Sequence, residues 1–390
     1  MVWAYRHTVL ALCTVAFFAT MVARLAISPV VPAINAEFAV SNTVIGVALS
    51  GMWLAYALSQ FPSGVLGDRY GERAIILVAV GGTAVTSLLL ALSPVFAAFV
   101  LFAVLLGGVA GLHYSVATAL LTRTHDEIGT AIGIHTIGSP AAGLVAPIAA
   151  AWVGSQYGWR PAVAVGALVA VPVFALFALR VRPTEPRRPT QPMRERFDLA
   201  PVLSLLARPP ILFTLLMATV GAFVWQSVAS FLPTFLIEHR GQSATLAGVV
   251  FSAYFVVQGV VKVGVGAASD RYGREAATAG CMIAAAVGTV AFVAAPGLVG
   301  ITLAVVLLGI GMSWAAAVEP RFIDYLTEEE RSTGFGLVRT VYLILGALGP
   351  VVVGLFADLA GWAVSFGALT GLLVLVFVLI LLNRAFDLGY

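Results

Sequence analysis

Charge is what this chain has least of. Only 10% of its 390 residues are Asp, Glu, Lys or Arg, where a water-soluble domain keeps roughly a quarter. Hydrophobic residues make up 61% and mean hydropathy is +1.02, which excludes an ordinary soluble domain. Cysteine is nearly absent. Cys13 and Cys281 lie far apart in apolar runs, so neither a disulfide framework nor a metal-binding cysteine cluster exists, and both read as small buried hydrophobes. Lysine occurs once, at Lys262, and Val263 follows it. The G-x-x-x-x-G-K-[ST] phosphate loop of an ATP-driven pump is therefore missing. No HExxH pair and no supported Ser/His/Asp constellation occurs either, so neither an enzyme, a cofactor nor a metal is expected.

Long apolar runs are abundant, and many reach the ~20 residues that a helix needs to cross hydrocarbon. An outer-membrane barrel would show short alternating segments instead. The first run, from Thr8 to about Pro32, is too long for a signal-peptide core and has no convincing cleavage site. It reads as a first span. Apolar runs and their breakers predict spans near 8–33, 43–63, 74–93, 96–121, 129–155 and 161–180, then 210–236, 244–265, 276–294, 297–318, 334–357 and 363–383. Between the sets lies "RVRPTEPRRPTQPMRERFDLAPVLSLLARPP", a solvated linker rich in Pro and Arg. The expected fold class is an all-α membrane protein whose transmembrane helices form two pseudo-symmetric six-helix bundles, 1–180 and 210–390, joined by a cytoplasmic linker, 181–209.

With the N-terminus inside, sixteen Lys and Arg fall on the cytoplasmic side, seven of them from Arg180 to Arg208, against Arg160 and Arg240 outside. That bias predicts a multi-pass protein of the plasma membrane with both termini cytoplasmic. It also accounts for a net charge of +3 without nucleic acid, because the arginines anchor the chain in an anionic lipid bilayer. Arg24, Lys262 and Arg339 remain inside spans.

The halves repeat one another. At a fixed offset of 202, Ser41, Thr43, Gly46, Val47, Ser50, Gly64, Asp68, Arg69, Tyr70 and Gly71 match Ser243, Thr245, Gly248, Val249, Ser252, Gly266, Asp270, Arg271, Tyr272 and Gly273. "YGWR" at 157–160 meets "AGWA" at 360–363 at an offset of 203. Six intervening spans give both copies the same orientation, hence parallel repeats about an axis normal to the membrane.

On these residues the chain resembles the major facilitator superfamily of secondary transporters over essentially its full length. Gly64-Val-Leu-Gly-Asp68-Arg69-Tyr-Gly71-Glu72-Arg73 and Gly266-Ala-Ala-Ser-Asp270-Arg271-Tyr-Gly273-Arg274-Glu275 are both similar to the family's G-x-L-x-D-R-x-G-R-R loop. Glycines permit a tight turn and close helix approach, and a carboxylate at Asp68 suits a neighbouring helix N-terminus. The resemblance implies a central cavity, alternating access, and a cytoplasmic latch built from Gly64, Asp68, Arg69, Gly71, Arg73, Gly266, Asp270, Arg271, Gly273 and Arg274. Glu72 departs from the basic residue of the family pattern. Two further departures weigh against a proton/drug antiporter. Ala103 and Val104 stand where such members often carry an Arg in span four, and "GSPAAGLVAP" at 138–147 matches their span-five motif only in part.

A charge at mid-span costs ~2.5–3.5 kcal/mol on insertion scales and faces a cavity or a partner. Thr20, Arg24 and Ser28 form a polar stripe at i, i+4, i+8. The repeat register sets Gln226 of span seven against Arg24, and the resemblance makes spans one and seven cavity walls. Arg24 is either a cavity cation or the structural partner of another helix. Lys262 lies ~12 Å up its helix from Asp270 and either lines the cavity with Tyr254 or anchors a gate; Tyr56 occupies the equivalent face of span two. Arg339 lies in span eleven. Glu319 pairs with Lys262 or Arg339, carries a proton, or ends its helix in water. His113 and His135 are further candidates for proton coupling, or are satisfied buried histidines.

Three cations against one carboxylate, with amphipathic walls such as Trp225, Tyr56 and Tyr254, point to a small organic anion, since guanidinium binds carboxylate bidentately. The expected substrate site is Arg24, Gln226, Lys262, Arg339, Tyr56, Trp225 and Tyr254. The partners expected are that solute, a coupling ion (a proton or counter-anion) and the bilayer, with the protein a monomer. Two alternatives stand beside this reading. One is a proton-coupled efflux antiporter for amphipathic drugs, and the other is a transporter-like sensor that binds without moving solute.

Overall fold

The computed structural model describes residues 5–189, 204–328 and 330–390. Residues 190–203 of the expected linker, with Arg194 and Arg196, lie outside them. Twelve helices among the described residues are long and apolar enough to cross a membrane, and no strand occurs among them. Spans one to six are Tyr5–Phe38, Asn42–Tyr70, Glu72–Ala91, Phe96–Thr124, Ile128–Tyr157 and Trp159–Arg180. Spans seven to twelve are Pro209–Glu238, Ala244–Tyr272, Arg274–Ala294, Gly297–Asp324, Gly334–Ala360 and Trp362–Ala385.

Several helices outrun the apolar runs that announced them. Spans two and eight continue to Tyr70 and Tyr272, because charged residues do not end a helix where backbone geometry allows it to go on. What ends them is glycine with a positive φ, Gly71 at 87° and Gly273 at 93°, a conformation that any side chain would strain. Most of each latch motif is therefore the last two turns of a helix, not a loop. An added Cβ at Gly64 or Gly266 meets nothing within 4 Å, which corrects the expectation that these two glycines serve close helix approach.

The described residues form two compact units. The first holds the six N-terminal spans without Ser41–Gly46, together with Gln242–Ser252; the second holds the six C-terminal spans together with Ser41–Gly46. In the first unit Val9, Cys13 and Ala16 pack in one apolar core with Ile76 and Val80, Leu120 and Leu121, and Phe177. Span four crosses span two at Gly107 and Gly111, where a Cβ would collide with the carbonyl oxygens of Met52 and Tyr56. Small residues four apart let two backbones meet where lipid offers no hydrophobic drive.

Span one is interrupted by a short 3₁₀ segment, Ser28–Val30, beside Pro29 and Pro32. Span four breaks between Phe96–Gly111 and His113–Thr124, and span five between Ile128–Thr136 and Gly138–Tyr157. Pro140 clashes with the carbonyl four residues back, at Thr136, which ends the first helix of span five there. Pro350 does the same to Gly346 in span eleven, which breaks between Arg331–Gly346 and Gly349–Ala360.

Each unit carries the same tie at its repeat position. Trp159 Nε1–H donates to Glu37 at 2.6 Å in the first, and Trp362 Nε1–H donates to Glu238 at 2.8 Å in the second. Both tryptophans follow a positive-φ glycine, Gly158 at 88° and Gly361 at 85°. The duplication read from residue identities thus extends to hydrogen bonds.

Candidate substrate site

In the first unit, Arg24 ends the opening helix of span one, Tyr5–Leu25, just before the proline-induced interruption. Its side chain is 2% exposed. Nε–H donates to the carbonyl of Thr20 at 3.1 Å, and Nη2 lies 2.8 Å from the Met21 sulfur. The guanidinium carbon stands 4.0 Å from the ring centroid of Tyr56 and 5.2 Å from that of Trp53. Desolvated cation–π contacts of this kind are worth about 2 kcal/mol. Nη1 is buried with no hydrogen-bond partner, and no carboxylate lies within ion-pair distance among the described residues. Of the stripe expected on span one, Thr20 is buried on the same helix as Arg24, and Ser28 is buried in the 3₁₀ segment beyond it.

In the second unit, Gln226 is 2% exposed and its Nε2–H donates to the carbonyl of Leu343 at 3.3 Å, leaving Oε1 without a partner. Trp225 Nε1–H reaches Gln258 Oε1 at 3.5 Å, and Gln258 Nε2–H donates to the carbonyl of Met312 at 2.7 Å. Phe255 packs edge-on against Trp225 and Tyr254, so spans seven, eight and ten converge on this cluster. Glu319 resolves its choice of partner. It sits 3.8 Å from Arg339 and accepts a hydrogen bond from the Tyr342 hydroxyl at 2.9 Å, while Lys262 is exposed and makes no ion pair among the described residues.

The latch residues separate by half. Arg69 and Arg271 each lie over the next residue's ring, Tyr70 at 5.5 Å and Tyr272 at 5.2 Å. Arg73 donates to the carbonyls of Ala178 and Val181 at 2.7 Å, capping the end of span six where cations are favoured. The carbonyl of Asp68 accepts from Arg188 at 2.9 Å, so the linker lies along the first motif. In the second motif Arg274 pairs with Asp270 and, at 3.1 Å, with Asp324.

Three polar anchors escaped the sequence. Glu72 is 2% exposed and pairs with Arg123 at 2.9 Å and Arg187 at 3.5 Å. Its departure from the family pattern was the signal, and the structure supplies two partners. Arg321, assigned to the cytoplasmic anchors, is 3% exposed and bonds Glu275 at 2.8 Å and Thr214. Asp358 caps Asn42 and Thr43 within the second unit, a contact 315 residues apart in the chain that no local pattern reveals.

His113 and His135 do come together. Both are fully buried, their ring centroids 5.5 Å apart, against Phe17.

A family model described as the Major Facilitator Superfamily matches residues 12–316 and 222–387. The tetracenomycin C resistance and export protein of Streptomyces glaucescens is 32% identical over 50% of this chain and 35% of its own length. The voltage-gated purine nucleotide uniporter SLC17A9 of Homo sapiens is 31% identical over 34% of this chain and 28% of its own. The chain thus spans about a third of the length of these curated relatives. Among solved structures, a bacterial homolog to the human lysosomal transporter Spinster, in an inward-facing and occupied conformation, superposes with a TM-score of 0.82 at 19% identity, over 99% of this chain and 98% of that one.

Proposed function

The chain belongs to the Major Facilitator Superfamily, and from that premise we propose that it moves a small organic anion, a carboxylate, across the plasma membrane by alternating access. It is a multi-pass membrane transporter and not an enzyme. The observation that carries the anion reading is Arg24, a guanidinium 2% exposed, stacked on Tyr56, with Nη1 unpartnered and no carboxylate beside it among the described residues. A buried cation without a counter-charge is costly, and a bound carboxylate would supply both the charge and the missing acceptor. One relative is by name a purine nucleotide uniporter, and nucleotides are organic anions at neutral pH, which supports the anion half of this reading. In the first unit this reading assigns the solute to Arg24 and Tyr56; in the second, Gln226, Trp225, Tyr254, Arg339 and Lys262 are its candidate contacts, each unit taken by itself. The Gly71 and Gly273 motifs act as the latch on the cytoplasmic side, where both termini lie, and the working unit is the monomer.

Drug efflux is the second reading, favoured by the tetracenomycin exporter. Purified protein in liposomes separates the two. Small carboxylates and lipophilic cations are offered with and without a pH gradient to wild type and Arg24→Ala. Carboxylate flux that the substitution abolishes is the expected result. Cation flux driven by the gradient and indifferent to Arg24 overturns it.

A further inference from the structure

In the first unit, the chain leaving span six lies across the ends of spans two, three and four as a strap. The Thr184 hydroxyl accepts the N–H of Arg73 at 3.0 Å, and Arg123 donates to the Glu185 carbonyl at 3.2 Å. Arg187 reaches Glu72 at 3.5 Å and the Ala119 carbonyl at 3.4 Å. The strap passes so close to Gly71 that an added Cβ would collide with the Thr184 carbonyl. The first turn of span three, whose N–H groups have no partner within the helix, is thus capped from outside by Thr184.

The second unit repeats the platform without the strap. At the offset of 202, Gly71, Glu72, Arg73, Ala119 and Arg123 become Gly273, Arg274, Glu275, Arg321 and Tyr325. All of these line one cavity of about 390 Å³ at the shared end of spans eight, nine, ten and twelve. Asp324, Leu381 and Arg384 complete its wall. The described chain after span twelve turns back instead, with the Tyr390 N–H donating to Asn383 at 3.2 Å, and Tyr390 takes no part in the lining. Among the described residues no side chain caps the first turn of span nine, and its first backbone bond runs from the Ala277 N–H to the Gly273 carbonyl at 3.2 Å. What holds a segment of the chain in the first unit is, in the second, an open cavity.

Charge is reversed between the two platforms. Glu72 receives an arginine from the strap, and Arg274 stands in its place. Arg274 pairs with Asp270 and with Asp324 at 3.1 Å, and Arg321 pairs with Glu275 at 2.8 Å. Arg384 is exposed and forms no ion pair among the described residues. Three arginines against two carboxylates leave the lining one positive charge, and the N–H groups that begin span nine add to it. The complement is a monoanion rich in acceptor oxygens. Spans nine and twelve pack together, and away from the cavity both turn exposed apolar residues outward, Ile283 and Val287 on one, Val378 and Leu381 on the other. Between them Gly280 leaves a groove, for an added Cβ there meets nothing within 4 Å. The cavity therefore opens along a face that only acyl chains would cover. An ammonium in the headgroup would bring a second cation to a lining that is already positive.

We infer that this cavity binds the phosphodiester headgroup of an anionic phospholipid that carries no amine. The phosphate sits on Arg384 and the first turn of span nine, and the acyl chains follow the groove between spans nine and twelve. The site is separate from the transport site and does not depend on the anion reading.

The full chain, purified in detergent, is titrated with dioleoyl phosphatidylglycerol and, separately, with dioleoyl phosphatidylethanolamine, and bound lipid is counted by native mass spectrometry. Wild type is expected to favour phosphatidylglycerol about fivefold, the contribution of one arginine facing an anionic lipid. Arg384→Gln removes the unpaired charge, and Ala276→Phe fills the cavity from its wall. Either should abolish the preference, whereas Arg6→Gln, at an exposed arginine of the first unit, should keep it. Equal binding of the two lipids by wild type overturns the site, as does a preference that survives Arg384→Gln or is lost equally in Arg6→Gln. Displacement of the lipid by millimolar inorganic phosphate would assign the cavity to free phosphate and overturn the lipid reading. Arg384→Gln decides alone if Ala276→Phe fails to fold. Absent carboxylate flux would sink the anion reading and leave this lipid count unchanged, so the two failures are distinguishable.

Discussion

The carboxylate of Asp358, near the end of span eleven, caps the first turn of span two through Thr43. It accepts the backbone N–H of Thr43 at 2.7 Å and its hydroxyl at 2.5 Å, and the N–H of Asn42 at 3.1 Å. The first N–H groups of a helix have no partner within it, and removing a cap costs roughly 1 kcal/mol. Asp358→Ala is expected to raise hydrogen exchange at Asn42–Ile45 about fivefold, with little change elsewhere in span two. Exchange that stays at the wild-type rate would show the cap to be idle.

Arg24 and Tyr56 form the pair whose loss should be read in affinity. Tyr56→Leu keeps the guanidinium and removes the ring beneath it, so carboxylate affinity should fall about thirtyfold, the ~2 kcal/mol of a desolvated cation–π contact. Arg24→Lys keeps the charge and loses the planar fork, and a similar or larger loss is expected. Equilibrium binding of the carboxylate that shows the highest flux is the measurement.

Glu72 is expected to matter for stability far more than its place in a surface motif implies. Breaking a fully buried ion pair costs ~3–5 kcal/mol. Here the carboxylate is 2% exposed while Arg123 and Arg187 are 33% and 42% exposed. Solvent around the arginines lowers the expected loss for Glu72→Ala to roughly 2 kcal/mol. Arg187→Ala should cost a fraction of that. Thermal unfolding in detergent compares them, and equal losses would contradict the two-partner arrangement.

Outside the spans, Arg208 donates two hydrogen bonds to Glu330, at 2.9 and 2.6 Å. Together with the N–H of Thr327, it holds the Glu330 carboxyl down to about 2. A carboxyl depressed on folding stabilises the fold fully above its ordinary value of 4.5 and loses that contribution as pH falls toward 2. Glu330→Gln is therefore expected to lower the melting temperature slightly at pH 7. The gap should narrow between pH 4.5 and 2, and a gap that widens on acidification would reverse the sign of the argument.

Spans and repeats were legible because apolar run length and residue identity at a fixed offset are local signals. Arg24 was legible for the same reason, since a charge in the middle of a span stands out whatever surrounds it. Glu319 offered two candidate partners at the level of sequence, and only helix packing chose Arg339 over Lys262. The latch motif misled on Gly64 and Gly266, because a glycine's neighbours are set by other helices and not by the motif that contains it. Arg321 and Asp358 were illegible. Each sits near the end of a span, where charge is ordinary, and its partners are 46 or more residues away.

The interruption at Ser28–Val30 makes the two repeats unequal mechanical objects. Span one is jointed there, whereas its repeat partner, span seven, is one continuous rod from Pro209 to Glu238 despite Pro233. Duplication copied the plan and left the compliance different. A bending load shared by both copies is taken up at the joint in the first, where the carbonyl of Arg24 accepts a long 3.5 Å bond from the Ile27 N–H, while the second transmits it along its length. The joint thus begins four residues after Arg24, so on the proposed reading the residue that holds the solute is also displaced when the helix flexes.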